Sequence, residues 1–153
     1  MSRRARSAAR LAAVQALYQM DVASKGLTEI LAEFEAFWIG QQIEGEQYER
    51  ADFELFRDLV AGVLERQVEV DRMTDKALNV KWPLRRIEAV LRAILRSAAY
   101  ELMVRRDVPA RVVITEYVDV AAAFYGAEET NMVNAVLDHV ARQQRASEFS
   151  ERA

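Results

Sequence analysis

Four guanidinium groups, on Arg3, Arg4, Arg6 and Arg10, are gathered in "SRRARSAARLAAVQALYQ" before any acidic residue appears. A guanidinium can form paired hydrogen bonds to a phosphate and can stack on a base. Gln15 and Tyr18 follow one to two helical turns after Arg10. An aromatic ring and an amide beside a basic face suit single-stranded RNA, whose bases are free to stack and to be read at their edges. On charge alone the same cluster also fits a solvated helix end.

Other chemistry has little to stand on. The five glycines form neither GxGxxG nor a phosphate-binding P-loop, and no GxSxG is present. Without cysteine there is no disulfide, zinc–thiolate site or thiol nucleophile, and the one histidine cannot form a cluster of imidazole ligands. His139 adjoins Asp138 in "LDHVAR", but neighbours in a helix point in different directions. Carboxylates are dense over Glu33–Glu54, yet acid–base work needs a pocket that separates their pKa values. A run on solvated faces and a loop lacks one. Glu128 and Glu129 suit a helix N-terminus. Phe34, Phe37, Trp38, Phe53 and Phe56 read as core, and Trp82 as packing beside a chain break.

The charge is distributed unevenly. The formal net charge is -3. The first 20 residues carry four Arg and no acid, which leaves -7 on the remainder. A basic edge on an acidic body suggests an anionic partner met at one end. No apolar run reaches the ~20 residues of a membrane span. The Arg-rich start imitates a targeting peptide, but Gln15, Gln19 and Asp21 interrupt its apolar part, so the expectation is a cytoplasmic protein.

The elements that must position these groups are helices. At 153 residues with 52% hydrophobic content, the chain reads as one domain. Five Gly and two Pro are few for the tight turns of a β fold. Apolar spacing predicts helices over about 4–24, 28–40, 49–76, 83–104, 109–125 and 129–145. In the first, Leu11, Val14, Leu17 and Tyr18 lie on one side at spacings of three and four, with Leu11, Val14 and Leu17 as the apolar stripe, and Arg3, Arg6 and Arg10 share a face as well. "NVKWP" separates the third helix from the fourth. Glu88 with Arg92, and Glu101 with Arg105, are spaced for i, i+4 pairs. "RVVIT" could be a strand, but Val113, Tyr117, Val120 and Phe124 continue at helical spacing. The expected fold is all-α, a bundle of about six or seven helices over 1–145, with 146–153 as a flexible tail.

Five segments, "AARLAAVQALYQ", "ELFRDLVAGV", "AILRSAAYEL", "DVPARVVITEYVDVAAAFYG" and "MVNAVLD", appear in the order and spacing of the bacterial NusB family. The resemblance spans about residues 3–142 and is weakest over 25–50. It implies about seven helices in two packed sub-bundles, about 1–76 and 80–145. It also implies an RNA-binding transcription antitermination factor with no enzymatic activity and no cofactor. Such proteins pair with NusE, a small-subunit ribosomal protein, and bind the single-stranded boxA element of nascent ribosomal RNA in the transcription elongation complex. The family's basic motif falls on Arg3, Arg4, Arg6 and Arg10, and its "VQALYQ" on Gln15 and Tyr18. The far end of the RNA surface falls on Phe124, Glu129, Asn131 and Asn134. NusE is expected on the C-terminal half, drawn by exposed acids that include Glu101 and Glu116.

The chain departs from the family pattern in places. Ser7 and Ala8 dilute the basic run. Met132 and Ala135 replace an aromatic and a glycine, Ala122 a lysine and Thr115 an asparagine. Lost aromatic and basic groups weaken stacking and phosphate contact at the C-terminal end. They motivate an alternative, a helical interaction scaffold that has lost RNA binding. Related domains fused to RNA methyltransferases need a catalytic domain for which this chain has no room. A homodimer formed through the arginine-bearing face would block RNA. The surface reading of Arg6 and Arg10 further predicts that reversing their charge leaves the fold intact.

Overall fold

The computed structural model describes residues 3–43, 50–78 and 87–149. The acidic loop around Gly45 and the "KWP" segment with Trp82 lie outside them, as do the side chains of Arg3, Arg4 and Trp38. Seven α-helices are described: α1 Arg3–Ala23, α2 Leu27–Ile43, α3 Arg50–Glu65, α4 Gln67–Ala77, α5 Ala89–Val104, α6 Ala110–Phe124 and α7 Ala127–Gln144. A 3-10 turn, Ala146–Glu148, follows. No strand occurs among the described residues, and "RVVIT" is helical within α6. No helix among them is long and apolar enough to cross a membrane.

The central element is α5, which packs on α1, α3, α4, α6 and α7. Its residues Ile94, Leu95, Ala98 and Leu102 are completely buried. Each leucine or isoleucine so buried contributes about 1.5–3 kcal/mol. The inner face of α1 is built mainly from small residues, Ala9, Ala13 and Ala16, with Val14 and Leu17. Small side chains let α1 lie close to α3 and α5. Leu11, expected inside, is 37% exposed, and Phe37 is 60% exposed. The aromatic core is Phe34 on Phe56, with ring centroids 4.9 Å apart, and Phe53 beside Phe56 at 5.7 Å.

Several local expectations are corrected. The long third helix is two helices, broken at Arg66 with φ -112° and ψ 23°. No Gly or Pro marks the break. Arg66 N–H still donates to Gly62 O at 3.0 Å, and Val70 N–H to Arg66 O at 2.9 Å. The change of direction therefore sacrifices little hydrogen bonding while α4 turns to pack on α5 and α7. Gly40 does not end α2, which continues to Ile43. Glu88 is not an ion-pair partner of Arg92. Its carboxylate caps α5 by accepting from Val90 N–H at 3.2 Å, and it also accepts from the Tyr125 hydroxyl. Arg92 instead reaches Asp21 across the bundle at 2.7 Å. The Glu101–Arg105 pair is absent too, since Arg105 bonds Asp58 at 2.9 Å.

The start of the tail is docked. Arg145 is buried, and Glu148 accepts from Ala110 N–H at 2.8 Å, closing the N-terminus of α6. That backbone bond, with help from Arg145, holds the Glu148 carboxyl below its ordinary pKa. A depressed carboxylate contributes stability above its unfolded pKa and loses it as pH falls through the folded one.

Gly62 faces the Tyr100 ring so closely that any Cβ would collide with it. Tyr100 cannot simply swing aside, because its hydroxyl donates to Asp58 at 2.9 Å. Burial, reinforced by that bond, pushes its pKa up to about 12. Gly62→Ala should therefore destabilise the fold by about 1–3 kcal/mol through overpacking, although Ala is the better helix former. Urea unfolding monitored by circular dichroism reads this directly. An unchanged midpoint would show that α3 and α5 can separate freely.

Candidate nucleic-acid interface

The N-terminal arginines do not form one exposed face. Arg10 is 1% exposed, and its guanidinium grips Glu101, with Nε donating to Oε2 at 2.7 Å and Nη2 to Oε1 at 3.0 Å. Glu101 on α5 is 0% exposed. The Tyr117 hydroxyl of α6 donates to the same Oε2 at 2.6 Å. Ser97 Oγ lies 2.7 Å from that hydroxyl, whose proton points to Glu101, so Ser97 is the donor there. Arg10 Nη1 stands 3.6 Å from Glu116, and Ser7 Oγ donates to Glu116 at 2.5 Å. Three helices thus meet at one polar node inside the protein.

Electrostatics follow from this closure. Burial disfavours the charged guanidinium, but the hydrogen bond and charge of Glu101 outweigh it, so the Arg10 pKa stands above its ordinary value. Burial, then the charge and hydrogen bond of Glu101, push the Tyr117 hydroxyl well up. Both groups keep the protonation state that holds the node together.

Three site expectations are corrected here. Arg10 faces inward and presents no surface guanidinium to a phosphate. Glu101 and Glu116 are buried, the second at 8% exposure, so they cannot act as rim charges that draw in a partner. Their sequence positions hold the signal. Arg10 lies at i, i+4, i+7 with the buried Val14 and Leu17. Glu101 lies three and seven positions after the buried Ala98 and Ile94 along α5. Both charges sit in apolar stripes, where an ion needs a buried counter-ion.

The rest of α1 does offer a surface. Leu11, Gln15, Tyr18 and Val22, spaced by four, three and four, are exposed on one side. Tyr18 is 37% exposed. Arg6 is half-buried and engaged by neighbours. At the other end, Phe124 is 51% exposed and its ring centroid lies 6.5 Å from that of Tyr125. Asn131 and Asn134 are exposed one turn apart on α7, and Glu129 is half-buried. No hydrogen bond or ring contact among the described residues joins the Gln15–Tyr18 face to Asn131 or Asn134. His139 is exposed on α7 and lines a groove of about 540 Å³ with Arg72, Lys76, Met73 and Met103.

The family model described as the NusB family matches residues 7–142. The chain belongs to the NusB family. Transcription antitermination protein NusB of Rhodopseudomonas palustris (strain TIE-1) is 60% identical over 145 residues, covering 95% of this chain and 83% of that protein. Among solved structures, NusB of T. maritima shares 30% identity with a TM-score of 0.78, covering 95% of this chain and 97% of its own. A chain of a crystal structure of antitermination factors NusB and NusE in complex with dsRNA gives a TM-score of 0.76 at 22% identity. That match covers 93% of this chain and 99% of the other, and it bears on the fold alone. The helical NusB architecture is therefore shared, and the burial of Arg10 and Glu101 is read within it.

Proposed function

We propose that this chain is an RNA-binding transcription antitermination factor that acts with NusE on boxA-type, single-stranded RNA in nascent ribosomal RNA transcripts. It would work in the cytoplasm as part of the elongation complex, with no catalytic step. The observation that carries this reading is the exposed Gln15–Tyr18 face of α1, one helix that also bears the N-terminal arginines, in a chain of the NusB family. Arg3, Arg4 and Arg6 hold the backbone, Gln15 and Tyr18 engage bases, and Phe124, Glu129, Asn131 and Asn134 extend the surface. A stacked base is worth about 1–3 kcal/mol, so the exposed Tyr18 and Phe124 rings are the strongest candidates for affinity beyond charge.

NusE docks on the C-terminal half in this reading. With Glu101 and Glu116 buried, the acids that can steer a basic partner there are the exposed Asp107, Asp119 and Glu128. A homodimer using the α1 face would compete with RNA.

A gel shift with boxA RNA, a scrambled strand and a duplex, each with and without NusE, tests the assignment. The boxA strand with NusE should give the tightest complex. No shift in any lane would leave a protein-docking scaffold as the function. Arg3→Glu combined with Arg4→Glu should weaken every single strand and lower the slope of log K against log salt by about 1.4, at roughly 0.7 per phosphate contact. Tyr18→Ala should instead lose boxA preference and keep the slope. A double-arginine variant with the parental slope would remove those arginines from the interface.

A further inference from the structure

The N-terminal half of α1 rests on the bundle through small residues. Ala9 and Ala13 are completely buried, and neither has the length to interlock with a neighbour; the longer Val14 and Leu17 are buried only past the middle of the helix. Small residues by themselves do little to stop that end of the helix from rotating or sliding. What holds it is polar: Arg10 clasps Glu101 with two bonds, Tyr117 completes the same carboxylate, and Ser7 bonds Glu116. A buried ion pair often contributes no more stability than apolar residues of the same volume, because desolvation consumes the Coulomb gain. Stability alone therefore does not account for the node. Geometry does, since a fork-shaped guanidinium on a carboxylate tolerates only one relative placement.

We infer that Arg10, Glu101 and Tyr117 are positioning residues for RNA: the node sets the rotation and axial register of α1, and so fixes where Arg6, Gln15 and Tyr18 stand. The inference rests on the RNA-binding reading above and deepens it. The lever is large. A rotation of about 20° moves a side-chain tip at the outer radius of a helix, about 5–6 Å, by about 2 Å. That exceeds the distance range over which a hydrogen bond survives. Phosphate contacts made by long, flexible side chains adapt to such a shift, whereas base contacts by Gln15 and Tyr18 do not. Loss of the node should thus remove affinity and sequence preference together and leave the salt slope in place.

The test replaces the node rather than breaking it. The triple variant Arg10→Met, Glu101→Leu, Tyr117→Phe removes both charges and the hydroxyl while keeping volume. Ser97 can then bond the carbonyl one turn back in α5. Thermal unfolding, binding of boxA RNA with NusE at several salt concentrations, and amide exchange over residues 5–9 are measured on parent and variant. The expected result is a melting temperature at or above the parental one, about tenfold weaker boxA binding, an unchanged salt slope and faster exchange over 5–9. A stable variant that binds boxA within twofold of the parent overturns the inference. If the triple variant does not fold, Tyr117→Phe alone decides. It should raise exchange over residues 5–9 and reduce the boxA-to-scrambled ratio, and no change in both would overturn the inference. Failure of the parent to bind RNA sinks the RNA reading itself, a different outcome from a variant that binds as well as its parent.

Discussion

Arg10→Ala should destabilise the protein by about 3–5 kcal/mol, the cost of leaving a buried charge without its partner. Glu101 would keep Tyr117 as a donor but lose both guanidinium bonds, at a position with no access to water. Glu101→Ala should cost a similar amount, because Arg10 would then be the stranded ion. Arg10→Glu, which a surface reading treats as harmless, should be worse than either, since two carboxylates would face each other beside Glu116. Urea unfolding of the single variants and the Arg10→Ala, Glu101→Ala pair gives a double-mutant cycle. The double variant should lose far less than the sum of the singles. Gln15→Ala, on the exposed side of the same helix, should stay within about 0.5 kcal/mol of the parent. Equal small effects at positions 10 and 15 would mean that α1 does not dock through this pair.

Arg145→Ala should cost about 3 kcal/mol or more, since a buried acceptor left unpaired costs roughly 1–3 kcal/mol and several lose a donor at once. Nε bonds Leu102 O at 2.8 Å, Nη2 reaches Arg105 O at 2.9 Å and Glu101 O at 3.2 Å, and Nη1 reaches Val108 O at 2.7 Å. These carbonyls belong to the end of α5 and the turn after it, where a helix runs out of its own donors. The cation also faces the negative end of the α5 dipole. Nη1 holds Glu148 at 2.8 Å as well, so the end of α7, the start of α6 and the end of α5 are joined by one side chain. Lys cannot spread its donors over this fork, so Arg145→Lys should recover less than half of the loss. Thermal unfolding of both variants checks it. A chain truncated after Gln144 that melts like the parent would show instead that the segment is dispensable.

The all-helical class was legible because periodicity is a local property. Val113, Tyr117 and Ala121 recur at helical spacing through "RVVIT", and the β-branched residues did not override it. Residues 7–142 match the NusB family, so the resemblance carried by five short segments reached most of the chain. The break at Arg66 was not legible. No residue there demands it, and it exists because α4 must turn to reach α5 and α7, surfaces that form only in the folded bundle.

The candidate site divides along the same line. Gln15 and Tyr18 were singled out by residue type beside a basic face; spacing grouped Tyr18 with Leu11, Val14 and Leu17, yet both Gln15 and Tyr18 are exposed. Arg10 was grouped with Arg3 and Arg6 by spacing that is just as regular, yet it also lies in register with Val14 and Leu17. Helical geometry allows both memberships, and one sequence cannot rank them. The ranking is made by Glu101, 91 positions away in the chain, whose carboxylate waits in an otherwise apolar stripe of α5. Composition, charge asymmetry and periodicity determined that this is a helical protein with a basic end. Which arginine faces a partner and which holds the fold was decided only when α1, α5 and α6 came together, because the cost of a buried charge depends on what the rest of the chain brings within reach of it.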